Sequence, residues 1–124
     1  WAAGRGWEVL DLSRYSPGEE RRLQQLPAAA QLQLRAGSIR SLADTADLVA
    51  SARLTISVDT ALVHLAHALA APRWLLLHRH PDARWRLRLQ QDGASDLTQL
   101  KVLQQTRQGE WWDVLQQLRR GLEA

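Results

Sequence analysis

The densest set of chemically useful side chains in this chain of 124 residues is Asp59-Thr60-Ala61, followed by His64. The run before it, Leu54 to Val58 (LTISV), suits a β-strand. The run after it, Ala61 to Ala71, is apolar except for His64 and His67, which predicts a buried helix packed against a sheet. A strand leading straight into a helix gathers backbone N–H groups and the positive end of a helix dipole at one point, which favours an anion. At that point Ala61 is small enough to let a phosphate reach the backbone, and Thr60 adds a hydroxyl. His64, four residues past Thr60, can donate to a phosphate or a sugar hydroxyl from the same helix face. A plainer reading fits equally well: Asp59 caps the helix and His64 is an ordinary half-buried residue. Local sequence leaves both open.

Other clusters are weaker. His64 and His67 make an HxxH pair and His78 and His80 an HxH pair, but neither has the further ligands that a metal needs nearby, so no metal is expected. Asp82 to Trp85 (DARW) could form one wall of a site, Trp85 stacking on a sugar or base and Arg84 reaching a phosphate. The alternative there is a tryptophan that closes a loop onto the core. Trp111-Trp112 reads as packing at the start of the last helix. The chain has no serine nucleophile elbow, no Walker lysine motif and no GxGxxG.

The elements that must position these residues alternate. Trp7 to Leu12 reads as a strand, and Ser13 to Gly18 as turn chemistry with Ser16 as N-cap and Pro17 at the first helical position. The helix so started carries Glu19 and Glu20 in its first turn and ends at about Leu26, before Pro27. Gln31 to Leu34 is a second strand, broken by Ala36-Gly37-Ser38, and Asp44 is expected to cap a helix running to Ala52. After the central strand and helix, which Pro72 ends, come a strand at Arg73 to Leu77 and a long arginine-rich loop with at most one helical turn. A strand at Leu100 to Leu103 and an amphipathic helix from Trp111 to Leu122 complete the chain. This alternation predicts an α/β fold: a three-layer, Rossmann-like domain with about five parallel strands. In the order 2-1-3-4-5, the switch point falls between the first and third strands, where such sheets bind ligands. Arg14, at the end of the first strand, would then add charge opposite Thr60 and His64.

Composition sets the outer limits. The length suits one domain with a real core. No run approaches the eighteen apolar residues of a membrane span, and Trp1 to Arg5 is no signal peptide. The absence of cysteine rules out disulfides, thiolate metal sites and cysteine nucleophiles, and is compatible with a cytoplasmic location. There is no methionine either, so the chain is expected to be a piece of a longer or processed protein. Net charge is +3, with fifteen of sixteen basic residues arginine, but these are scattered and tryptophan alone could stack on bases. Nucleic acid is therefore not the expected partner.

Residues 43 to 118, about three-fifths of the chain, resemble the C-terminal half of glycosyltransferase family 9, the heptosyltransferase-like enzymes. The likeness is to the branch often found behind tetratricopeptide repeats. It is carried by ADTADLVASARLTISVDTALVHLAHAL, PRWLLL, PDARWR and VLQQTRQGEWWDVLQQL. The corresponding pattern of that branch reads ISVDTAxxHLAGALG, PVWVLL, DWRW and RQxxxGDW. The resemblance implies the C-terminal domain of a GT-B fold, which holds a nucleotide-diphosphate sugar donor and works without a metal. It implies that Asp59, Thr60, Ala61 and His64 hold the diphosphate and sugar, with Arg14 where the family often has a lysine, and Asp44 and Thr45 opening the helix that flanks the base. It also implies an upstream acceptor half that supplies the catalytic base, so that this domain would be inactive alone. The alternative is an interaction module that keeps the fold with a degenerate pocket. Where the pattern has glycines after the histidine, this chain is read as having His67 and Ala71, and His67 is expected to crowd the helix packing or the donor. GASDLTQL replaces an SPWYP-like element before the last strand.

Overall fold

The structure, a computed structural model, describes residues 2–27, 32–90 and 99–124. Contacts divide the chain into two compact units, Trp1–Thr45 and Ala46–Ala124. The first unit opens with a 3-10 turn at Ala3–Arg5, then β1 (Val9–Asp11), α1 (Pro17–Gln24) and β2 (Leu32–Leu34). A second 3-10 turn at Ala36–Ser38 leads to α2 (Leu42–Ser51), which runs into the second unit. That unit continues with β3 (Thr55–Val58), α3 (Ala61–Ala68), β4 (Arg73–Leu77), α4 (Ala83–Gln90), β5 (Leu100–Gln104) and α5 (Trp112–Glu123).

The fold is α/β as expected, with every strand pairing parallel. The strands form two sheets, β1-β2 and β3-β4-β5, so the neighbours 2-1 and 3-4-5 of the expected order are both present. Gln31, the expected first residue of β2, and most of GASDLTQL lie outside the described residues.

In the first unit, local chemistry sets the boundaries. Ser16 and Glu19 form a complete capping box at the start of α1: Ser16 Oγ accepts from the Glu19 amide at 3.3 Å, and the Glu19 carboxylate accepts from the Ser16 amide at 2.8 Å. Those hydrogen bonds hold the Glu19 carboxyl below its usual range. At α2 the expectation is corrected. Asp44 lies inside the first turn, its carboxylate accepting from the Arg40 and Ser41 amides at 2.8 and 2.9 Å, while Ser41 Oγ accepts from the Asp44 amide. The cap is therefore Ser41, and Asp44 is the third helical residue reaching back to it. α1 stops two residues short of Leu26, with Gln25 as C-cap.

The second unit has three layers. Strand register places Leu75 beside Val102 on one face of the sheet and Trp74 beside Lys101 on the other. On the first face Leu75 and Leu77 pack with Val63 of α3 and Trp85 of α4. Val49 of α2 packs with Ala66 and Ala71 in a second cluster. On the opposite face, Gly121 brings α5 close to Trp74, over whose ring Lys101 Nζ stands at 4.2 Å. Among the described residues β3 and β5 are the two edges of this sheet, and in β3 Ile56 and Val58 are exposed while Thr55 is buried.

The arginine-rich stretch after β4 holds the largest departure from expectation. Within it Ala83–Gln90 form the two-turn helix α4, one turn more than expected, and residues 91–96 of the stretch lie outside the described residues. Asp82 starts it, accepting from the Arg84 amide at 2.7 Å, and Trp85 with Leu89 at i, i+4 supply its apolar face. α3 ends in a Schellman-type turn: the Ala71 amide donates to the Ala66 carbonyl at 2.9 Å and the Ala70 amide to His67. The left-handed residue there is Ala70, with φ of 52°.

Candidate functional site

The second unit carries the candidate site at the carboxyl end of β3. Asp59 and Thr60 form the bend between β3 and α3, and Thr60 is the N-cap. Its side chain does not bond the first turn of the helix. Thr60 Oγ1 instead pairs with Ser57 Oγ at 2.9 Å, and Ser57 Oγ also donates to the Val58 carbonyl at 2.8 Å. The first-turn amides of α3 thus have no side-chain cap, which is the arrangement an anion would complete. Ala61 follows as the first helical residue and is exposed, so no side chain covers the backbone there. Ser57 was not singled out from sequence. The period-two alternation that sets Ser57 and Thr55 on one face of β3 was the available signal.

His64 lies one turn down the helix, its side chain 45% exposed, with Nε2 3.4 Å from Asp59 Oδ1. Its ring stacks on Trp85, centroids 5.7 Å apart and planes 25° from parallel. The imidazole is therefore set between a carboxylate from the β3–α3 bend and an indole from α4. Trp85 itself is 3% exposed. Of the two readings open for it, this burial fits the tryptophan that closes onto the core, and its ring touches the site through His64. Its Nε1 is buried with no hydrogen-bond partner among the described residues. Arg84 is exposed and its guanidinium pairs with Asp82 at 3.3 Å, so it serves the start of α4.

His67 does not enter this site. Its Nδ1 takes a hydrogen bond from Arg73 Nη2 at 2.7 Å, and Arg73 is the first residue of β4. Since all strands run parallel, that places His67 toward the amino ends of the strands, away from the bend at Asp59. Of the two expectations for His67, crowding of the helix packing or of a donor, this position lies on the side of the helix end and Arg73. Arg73 is buried and also donates to the Ala71 carbonyl, which ties strand, helix end and connecting turn together. In the motif read across from Asp59, the second glycine falls at Ala70, not Ala71. Ala70 is the residue that adopts the left-handed conformation glycine favours.

In the first unit, Arg14 is exposed between β1 and α1, while Asp44 and Thr45 stand in the first turn of α2. The Asp44 carboxylate is engaged by the Arg40 and then the Ser41 amide, which hold its pKa below the usual carboxylate range. Among the described residues there is no group of three histidine, cysteine or acidic side chains that could hold a metal, and no helix long and apolar enough to cross a membrane.

Parallel strands, helices on both faces and a polar strand-to-helix bend at the carboxyl end of the sheet define a Rossmann-like α/β domain. A family model for glycosyltransferase family 9 (heptosyltransferase) matches residues 3–108. The chain belongs to that family, whose GT-B architecture agrees with the fold. The match reaches back through β1, α1 and β2, a region outside the likeness read from sequence. No curated protein and no solved structure matches the chain.

Proposed function

We propose that the chain is the donor-binding domain of a nucleotide-sugar-dependent glycosyltransferase. The observation that carries this reading is the N-terminus of α3, with no side-chain cap and with Asp59, Thr60 and His64 gathered around it. A nucleoside diphosphate would set its phosphate oxygens against the α3 amides and the Thr60 hydroxyl. His64 would donate to the diphosphate or the sugar, its ring oriented by Asp59 and Trp85. Arg14 would add a cation and Asp44 and Thr45 would flank the base, as the family likeness implies. In the transfer, an acceptor hydroxyl forms a bond to the anomeric carbon as the bond from that carbon to the diphosphate oxygen breaks, with inversion. The leaving diphosphate takes the electron pair, and the residues at α3 stabilise its growing charge without a metal. The hydroxyl proton goes to a base on an acceptor domain, so this domain alone should not turn over. A cytoplasmic setting and an upstream acceptor or tetratricopeptide domain complete the reading.

Calorimetric titration with ADP, UDP and their sugar conjugates tests it. One of these should bind, and His64→Ala should weaken it tenfold or more. Binding by none of them, or indifference to His64→Ala, would sink the proposal.

A second reading rests on Ser57 pairing with Thr60, and Asp59 with His64, without any ligand. In that reading the fold survives as an interaction module, and the same titration separates the two.

A further inference from the structure

A second polar depression lies beyond the carboxyl ends of β4 and β5, and nothing in the donor reading uses it. It encloses about 270 Å³ and is lined by Arg79, His80, Pro81, Arg86, Leu89 and Gln104. Two arginines and a histidine are among its lining residues, and no acidic residue is. None of the three cationic or titratable side chains makes a hydrogen bond or ion pair among the described residues. The acid closest in sequence, Asp82, gives its carboxylate to the Arg84 amide and guanidinium and acts on Arg86 only through space.

The loop that carries Arg79 and His80 is held in place from β5. Gln104 Nε2 donates to the Arg79 carbonyl at 3.0 Å and to the His78 carbonyl at 3.4 Å. The buried Gln105 accepts from the Arg79 amide at 3.1 Å and the Gly109 amide at 3.4 Å through its Oε1. Two adjacent side chains at the end of one strand thus fix the backbone that carries Arg79 and His80, and Pro81 next to them is buried. Arg86 and Leu89 complete the rim from one face of α4, three residues apart.

We infer that this depression is a binding site for a phosphate group, separate from the α3 N-terminus. Guanidinium forks match phosphate oxygens two at a time, and a pinned loop lowers the ordering cost of placing them. The volume is just below the range of about 300–1,000 Å³ usual for larger organic ligands, so it suits a phosphate on a small molecule. Pro81 and Leu89 offer an apolar wall for the carbon part of such a molecule.

NMR of the whole 124-residue chain tests the site, with inorganic phosphate and glucose 1-phosphate as separate probes. The His80 ring and Gln104 side-chain amide signals should shift along saturable curves. In the doubly substituted Arg79→Gln, Arg86→Gln chain the affinity read at those signals should fall tenfold or more. Both positions are exposed, and an unchanged melting temperature will show that the variant is folded. Tighter binding of glucose 1-phosphate would identify an organic phosphate and equal binding free phosphate, and either upholds the site. Unmoved His80 and Gln104 signals, or the same curves in the variant, would overturn it. A response confined to the Thr60 and Ala61 amides would also overturn it while leaving the donor reading intact.

Discussion

The two units of this chain are held together by different means. In the second, Leu75 and Val114 are fully buried, and Val63, Leu77 and Trp85 nearly so. In the first, no described residue is buried: the three residues of β1 are half-exposed, two of the three in β2 are exposed, and α1 has no buried side chain. What fixes the first unit is hydrogen bonding to chain ends and turns: the Ser16–Glu19 box, the Ser41–Asp44 box, and Asp11 accepting from Ser13 and Tyr15 at the end of β1. The lesson bears on function. His64, Thr60 and Trp85 stand on a packed platform that can hold a geometry, whereas Arg14 sits between two short, capped elements that a core does not brace. A residue so placed can adapt to a ligand but cannot pre-organise one.

The largest effect should come from emptying the packed platform. Leu75→Ala removes a fully buried side chain between α3, α4 and the sheet, at a cost of about 2–5 kcal/mol. The corresponding change in the first unit, Leu32→Ala, should cost about 1 kcal/mol or less because Leu32 is only half-buried. Hydrogen exchange reads the first substitution at the β4 amides and the second at the β1 and β2 amides. Equal losses of protection would erase the contrast between the units. Next in size is Gly121→Ala. A methyl there would lie 2.7 Å from the Trp74 ring and also meet Lys101 Nζ. Lysine can move aside; the tryptophan, half-buried on the sheet, cannot do so freely. The overpacking costs about 1–3 kcal/mol, against a helix-propensity gain of about 1 kcal/mol. The melting temperature should fall, and a rise would show that α5 does not rest on Trp74.

Acid should separate the units in a different way. Asp11, Glu19 and Asp44 all have pKa values below their ordinary 3.8 or 4.5 in the folded chain. For Asp11, burial pushes the other way and is outweighed by the Tyr15 hydroxyl and the Ser13 amide. A depressed carboxyl pKa contributes stability that is complete above the unfolded value and lost as pH falls through the folded one. As pH falls from the ordinary values of 3.8 and 4.5 through the lower folded ones, the first unit should therefore lose stability before the second, which has Asp82 and Asp113 similarly depressed but a core besides. Resolved amide signals during an acid titration would show the order, and simultaneous loss would contradict it.

Much of this was readable in the sequence where the controlling forces are local. Ser16-Pro17 with Glu19 announces a helix start whatever surrounds it, and Arg73 to Leu77 is a strand in the structure with the same bounds. α4 was missed because three arginines mask an apolar face of only two residues, Trp85 and Leu89. Asp82 as its cap and their i, i+4 spacing were the signal that went unread. The Asp59–His64 pairing joins residues five apart across the start of α3, within the motif itself. The stack of His64 on Trp85 joins residues twenty-one apart, and only packing of α3 beside α4 on one face of the sheet could produce it.

The smallest effect expected is a gain, and it falls at the end of α3. Ala70 closes the Schellman turn with φ of 52°, a conformation in which a β-carbon costs roughly 1–2 kcal/mol. Arg73, buried and bonded to both His67 and the Ala71 carbonyl, holds the turn in that shape. Replacing Ala70 by glycine relieves the strain but gives the unfolded chain more freedom to lose, worth about 0.5–1 kcal/mol in the other direction. The net gain should be about 0.5–1 kcal/mol, read as a small rise in melting temperature. In an Arg73→Met background the turn is free to relax its angle without glycine, so the same substitution should gain less there. If Ala70→Gly destabilises the chain in both backgrounds, the strain at the end of α3 is not what the dihedral angle implies, and the comparison between a rigid second unit and a pliant first one loses its clearest point of tension.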